Sequence, residues 1–112
     1  SFPTRRSSDL PTLIGNEVTI GHKVMLHGCV IGDRVLVGMG CILMDGVTVE
    51  SDVVIGGGSL VPPGKTLVSG YLYVGSPVKQ LRRLTERELD YFSYIAGKYV
   101  ELKNRHRKAL EI

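Results

Sequence analysis

The residues best able to do chemistry lie together in Gly21-His22-Lys23-Val24-Met25-Leu26-His27-Gly28-Cys29. Histidine is the commonest metal ligand, and a neutral imidazole suits zinc. A catalytic zinc takes three protein ligands and keeps one position for water. This stretch offers two, His22 and His27. The third histidine of the chain, His106, sits in a basic tail and is expected to be solvated. Two histidines five residues apart are a weak signal alone, and on an α-helix they would not share a face. The two cysteines, Cys29 and Cys41, are expected in core or turn positions and not as a disulfide or metal pair.

The element that must position these histidines is read from a repeat. Stepping by six from Ile14 gives Ile14, Ile20 and Leu26; one step of five gives Ile31; six-residue steps then give Val37, Leu43, Val49, Ile55, Val61, Leu67 and Tyr73. All but Tyr73 are aliphatic. Glycine often follows, at Gly15, Gly21, Gly32, Gly38 and Gly56. Four residues after each comes a small or β-branched residue: Val18, Val24, Val30, Val35, Cys41, Val47, Val53 and Ser59. The pattern fails at Lys65, after Pro62-Pro63-Gly64. A period of six is neither helical nor that of a simple strand, and it is a signature of the parallel β-helix.

Three such steps make one triangular coil, and successive coils stack about 4.8 Å apart. The stacking predicts three ladders: Ile14, Ile31, Val49, Leu67; Ile20, Val37, Ile55, Tyr73; and Leu26, Leu43, Val61. His22 falls two residues after a ladder position and His27 one after, so both side chains are expected to point outward from one coil. A small antiparallel sandwich would need hairpin turns and strict alternation, and neither is regular here.

The rest of the composition narrows the class. The chain has 112 residues, no Trp, 14 glycines and a formal charge of +3. The length suits one small domain. No apolar run approaches the roughly 20 residues of a membrane helix, and no apolar core of a signal peptide stands near the start, so a soluble, cytoplasmic chain with no membrane partner is expected. Two cysteines fit a reducing compartment. The charge is too small to imply nucleic acid. After Gly75-Ser76-Pro77 the pattern changes. Thr85 with Glu88 forms a capping box, and Leu84 against Leu89 a hydrophobic staple. Leu89, Phe92, Ala96, Tyr99, Val100 and Leu102 follow a period near 3.6, which predicts a helix from Glu86 to about Lys108. Its basic end (Lys98, Lys103, Arg105, Arg107, Lys108) complements the helix dipole and is not read as a nucleic-acid patch.

The segment Thr19-Ile20-Gly21-His22-Lys23-Val24-Met25-Leu26-His27-Gly28-Cys29 resembles the metal-site segment of the gamma-class carbonic anhydrase-like hexapeptide-repeat family, in its YrdA-like branch. The likeness continues through Ile31-Gly32-Asp33-Arg34-Val35-Leu36-Val37-Gly38-Met39-Gly40 and Tyr71-Leu72-Tyr73-Val74-Gly75-Ser76-Pro77-Val78-Lys79-Gln80, and it runs from about Pro11 to about Arg105. The resemblance implies a left-handed coil and a homotrimer with zinc at its subunit interfaces, iron(II) or cobalt(II) being the alternatives. It implies reversible hydration of carbon dioxide to bicarbonate. It also implies that His22 and His27 are metal ligands serving different interfaces, with a third ligand upstream. Tyr99, in Lys98-Tyr99-Val100-Glu101-Leu102, matches a tyrosine that some members place beside the metal, where it would be catalytic. The other reading keeps Tyr99 in the apolar stripe.

Two further function classes stay open. Gly75-Ser76-Pro77-Val78-Lys79 resembles a segment shared with hexapeptide acyltransferases, which use acetyl-CoA and usually one histidine as base near an extruded loop. The paired histidines and the lack of a long loop favour zinc. The third class is a non-catalytic trimeric scaffold. Residues 1–10, Ser-Phe-Pro-Thr-Arg-Arg-Ser-Ser-Asp-Leu, resemble a translated sequencing-library adapter. The expected organisation is therefore adapter-derived residues at 1–10, the C-terminal coils of a longer prism at 11–78, and the helix at 85–108. With its first coil's edge unpaired, the isolated chain is expected to be poorly soluble or inactive.

Overall fold

A computed structural model describes residues 10–92 of the chain. Twelve strands follow in order: β1 (Leu13–Ile14), β2 (Thr19–Ile20), β3 (Met25–Leu26), β4 (Val30–Ile31), β5 (Val35–Val37), β6 (Ile42–Leu43), β7 (Thr48–Val49), β8 (Val53–Ile55), β9 (Leu60–Val61), β10 (Thr66–Leu67), β11 (Tyr71–Gly75) and β12 (Val78–Arg83). β1 to β10 are short because each side of a triangular coil holds only two or three extended residues before the chain must turn. Three sheets result, with strand orders β1-β4-β7-β10, β2-β5-β8-β11 (β12 added at its end) and β3-β6-β9. Every pairing except β11 with β12 is parallel. The molecule is thus a parallel β-helix of a little over three coils.

The registers reproduce the three ladders. Ile14 pairs with Ile31, Ile31 with Val49, and Val49 with Leu67. Ile20 pairs with Val37, Val37 with Ile55, and Ile55 with Tyr73. Leu26 pairs with Leu43, and Leu43 with Val61. Ile31, Val37, Leu43, Val49, Ile55, Val61 and Leu67 are buried, and with Val35, Cys41, Val47, Val53 and Ser59 they fill the interior. Each side chain packs on the ones above and below, so the core is a continuous column of stacked layers. Among the described residues the first coil lies at one end of that column, and its ladder residues Ile14 and Ile20 are 47% and 38% exposed.

One position departs from the expected inward row. Val30 faces outward at 45% exposure, and Cys29 is buried in its place at 2%. The step from Leu26 to Ile31 is one residue short, so the side chain entering the column comes three residues after the ladder position and not four. Both cysteines are free thiols buried in the interior row, as a core role requires. Burial pushes the Cys29 thiol above its ordinary pKa, and the nearby Asp45 charge adds to the rise.

The corners follow a backbone rule. Three residues after the ladder position the chain takes positive φ: Glu17, Lys23, Arg34, Gly40, Gly46, Asp52, Gly58, Gly64 and Gly70. Glycine enters this region without strain, and other residues at a cost. A different demand acts one residue after the ladder. At Gly38 an added Cβ would lie 2.8 Å from Gly57 Cα, so the close approach of the next coil excludes any side chain.

The base of the prism carries an element the repeat does not announce. β12 turns back antiparallel on β11 through a turn with a cis Ser76–Pro77 peptide. The Arg83 guanidinium lies over the Tyr71 ring, 5.5 Å from its centroid. The Tyr73 hydroxyl accepts from Val68 N–H at 2.8 Å and donates to Gln80 Oε1 at 3.0 Å, which ties β11 to β12. A helix then begins at residue 86 and is described through 92. Its capping box forms as read: Glu88 N–H donates to Thr85 Oγ1 at 3.2 Å, and Thr85 N–H donates to Glu88 Oε1 at 2.8 Å. Residues 93–108 of the expected helix lie outside the described residues. Phe92 is buried at the edge of a cavity of about 450 Å³ over Leu36 and Val54, on the β5–β8 side of the triangle.

Candidate metal centre

β3 positions both candidate ligands. His22 stands in the corner before it and His27 directly after it, so the two imidazoles mark the two ends of one side of the first coil. His22 is exposed and His27 half-buried. The His22 carbonyl accepts from Gly40 N–H at 2.9 Å, and His27 N–H donates to the Leu43 carbonyl at 3.0 Å. Backbone bonds to the second coil therefore fix both histidines, and their rings stay outside the packed column. Tyr99 and His106 lie outside the described residues.

The side of the triangle between the histidines is apolar. Outward positions of β3, β6 and β9 are Met25, Ile42 and Leu60. By the same registers His22 is level with Met39 and His27 with Met44. All three methionines of the chain thus line this side. Met25 and Met39 are 55% and 66% exposed, a concentration of bare apolar surface around the two histidines. Methionine suits a surface that must fit another surface.

No group of three or more His, Cys, Asp or Glu side chains is placed to hold a metal ion among the described residues. The candidate donors are two imidazoles, a type that suits zinc, with no third donor beside them among the described residues. Sequence reasoning singled out both histidines as candidates, and the structure places them at the two ends of β3. That reasoning missed Thr12 and Asp45, which hold the peptide following His27. The Thr12 hydroxyl donates to the His27 carbonyl at 2.8 Å. Gly28 N–H donates to Asp45 Oδ1 at 3.1 Å. The five-residue step marks the corner that Thr12 and Asp45 hold, which among the described corners alone has no residue of positive φ, but it does not point to either residue.

Comparison with known proteins bears on the family and the fold. Residues 11–43 and 28–63 match the family described as bacterial transferase hexapeptide (six repeats). The chain is 62% identical over 96 residues to protein YrdA of Escherichia coli (strain K12), covering 86% of this chain and 52% of that protein. It is 44% identical over 97 residues to gamma carbonic anhydrase 2, mitochondrial, of Arabidopsis thaliana, covering 87% of this chain and 35% of that protein. Among solved structures, a hexapeptide transferase family protein from Anaplasma phagocytophilum matches with a TM-score of 0.75 at 38% identity, over 83% of this chain and 60% of that one. The chain spans about half the length, or less, of the curated relatives it matches. Its repeat, its stacked registers and these matches agree: the chain is a left-handed parallel β-helix and belongs to the hexapeptide-repeat family, with gamma carbonic anhydrase homologues among its relatives.

Proposed function

We propose that this chain forms part of a gamma carbonic anhydrase-like zinc protein that hydrates carbon dioxide reversibly to bicarbonate as a homotrimer. The observation that carries the reading is the pair His22 and His27 at the two ends of β3, one exposed and one half-buried on a methionine-lined side, in a sequence 44% identical over 97 residues to a gamma carbonic anhydrase. When bound, zinc supplies Lewis acidity that lowers the pKa of water to about 7.

The residues of this chain divide the remaining work. His22 and His27 donate imidazole lone pairs. Because they stand at opposite ends of one side, each serves a different interface, and neighbouring subunits complete the donor set. Such head-to-tail contacts close into a ring when the rotation between subunits permits. Met25, Ile42 and Leu60 exclude water around the site and suit an apolar substrate such as carbon dioxide. Tyr99 is proposed as the hydrogen-bond donor to bicarbonate, the role the resemblance implies. The organisation proposed with this is a prism over 11–78, a terminal helix over 85–108, and adapter-derived residues at 1–10. The protein is proposed to act in the cytoplasm.

Metal analysis with stopped-flow hydration of carbon dioxide tests the reading. Stoichiometric zinc with chelator-sensitive hydration is expected. A trimer without zinc or hydration would overturn it. A second reading, acyl transfer from acetyl-CoA, draws on the hexapeptide transferase family protein matched at 38% identity. Coenzyme A binding by the metal-free trimer would favour it, and a trimer with neither activity would favour a scaffold.

A further inference from the structure

The regular corners of this coil share one backbone solution. The positive-φ residue donates its N–H to a carbonyl of the preceding coil: Arg34 to Asn16 at 2.8 Å, Gly40 to His22 at 2.9 Å, Asp52 to Asp33 at 3.0 Å, and Gly70 to Asp52 at 2.7 Å. The corner after β3 is one residue shorter, and no residue from His27 to Cys29 has positive φ. At three regular corners a side chain meets the N–H two residues past the ladder, Asn16 to Asp33, Asp33 to Ser51 and Ser69 to Glu50; in the peptide joining His27 to Gly28, side chains meet both the N–H and the carbonyl.

Side chains from two different coils serve them. Thr12 Oγ1, in the first coil, donates to the His27 carbonyl at 2.8 Å. Asp45 Oδ1, one coil further on, accepts from Gly28 N–H at 3.1 Å. The flanking groups are tied as well, His27 N–H to the Leu43 carbonyl at 3.0 Å and Gly46 N–H to the Gly28 carbonyl at 2.7 Å. One peptide plane is thus gripped on both edges, and the Cα of His27 is an atom of that plane. No side chain holds the backbone at His22 in this way among the described hydrogen bonds.

We propose that Thr12 and Asp45 are positioning residues for His27: together they fix the shortened corner and hence the direction in which the imidazole leaves the prism. The proposal rests on the reading of His27 as a metal ligand. Asp33 provides a matched control, since it accepts from Asn16 N–H at 2.8 Å at a corner with no histidine. An effect on stability alone would be shared by Asp33 and Asp45. An effect on the ligand belongs to Asp45 and Thr12.

The test uses the whole protein in cobalt(II) titrations, with NMR of the metal-free form as a second readout. Asp45→Ala and Thr12→Val should weaken cobalt binding roughly ten- to a hundredfold, the range for outer-shell partners. Asp45→Asn keeps the acceptor oxygen and should restore wild-type affinity. Asp33→Ala should bind cobalt as the wild type does. In the metal-free protein, Asp45→Ala should speed exchange of the Gly28 amide and split or broaden the His27 ring signals, leaving those of His22 unchanged. Unchanged affinity in Asp45→Ala, or equal weakening in Asp33→Ala, overturns the proposal. If the wild type binds no cobalt, the metal reading fails. The clamp is then judged by the Gly28 exchange and the His27 ring signals, and no change there overturns it.

Discussion

Glu88 receives both terminal nitrogens of Arg82, at 2.6 and 2.9 Å, so one carboxylate bolts the last strand to the start of the helix. The same carboxylate caps Thr85 N–H at 2.8 Å. The Arg82 hydrogen bond, with that backbone bond behind it, lowers the Glu88 pKa to about 2. A carboxylate with a depressed folded value stabilises fully above its unfolded value of about 4.5, and the contribution is lost as pH falls toward 2. An NMR titration should place the Glu88 midpoint near 2, and Glu88→Gln should remove that part of the acid dependence. Both side chains are partly solvent-exposed, so added salt should raise the midpoint. A midpoint in the ordinary glutamate range would show that the pair does not hold in solution.

Two glycines separate the two backbone demands of the corners. Gly58 has φ of 71° and open space around an added Cβ. Gly58→Ala should cost about 1 kcal/mol, the strain of a side chain at positive φ. Gly38 has no such φ, yet its Cβ would meet Gly57 Cα at 2.8 Å. Gly38→Ala should cost about 3 kcal/mol, the upper range for overpacking, because the obstacle is backbone that cannot rotate away. Urea unfolding of both variants checks the order. Equal losses would mean that coil spacing relaxes more than the stacked registers suggest.

Leu43 tests the column itself. It sits between Leu26 and Val61 in the middle of a ladder and is fully buried. Leu43→Ala should destabilise by about 3 kcal/mol, since the layers above and below are held by their own hydrogen bonds and cannot collapse into the void. Thr48→Ala, on an outward position of β7, should change stability by less than about 0.5 kcal/mol. Denaturant midpoints give both values.

These elements were legible to very different degrees. The ladders from Ile14 to Tyr73 could be read because one chemical need, an apolar rung, recurs at a spacing no other architecture uses. The single five-residue step was visible too. Its consequence for Cys29 and Val30 was not, because which residue turns inward depends on how the shortened corner closes. β12 gave no signal. Val78-Lys79-Gln80-Leu81-Arg82-Arg83 has neither a period of six nor strict alternation, and only Val78 of the six is buried. Its pairing comes from the hairpin turn and from Tyr73 with Gln80. His22 and His27 were singled out by residue type and resemblance. Thr12 and Asp45 could not be, because their bonds to the next coil span 15 and 17 residues and exist only once the register is known.

The proposed division of ligands between subunits makes the sharpest prediction. In the proposed ring, every interface would take one His27 and one His22 from adjacent subunits. His22→Ala or His27→Ala alone therefore damages every site, and zinc affinity should fall by more than about a hundredfold, beyond the range for outer-shell partners. Trimers should persist, since Met25, Ile42 and Leu60 remain. Mixing the two variants by co-expression should then restore function. A His22→Ala subunit still offers His27, and a His27→Ala subunit still offers His22, so each mixed ring contains one interface with both. With random assembly, about a quarter of the sites are whole, and zinc content and hydration rate should recover to about that fraction of the wild type. If both histidines instead bound one ion within a subunit, no mixture could rebuild a site. Metal content of the co-expressed trimers decides between the two arrangements, and failure to recover would overturn the interface assignment while leaving each histidine a ligand.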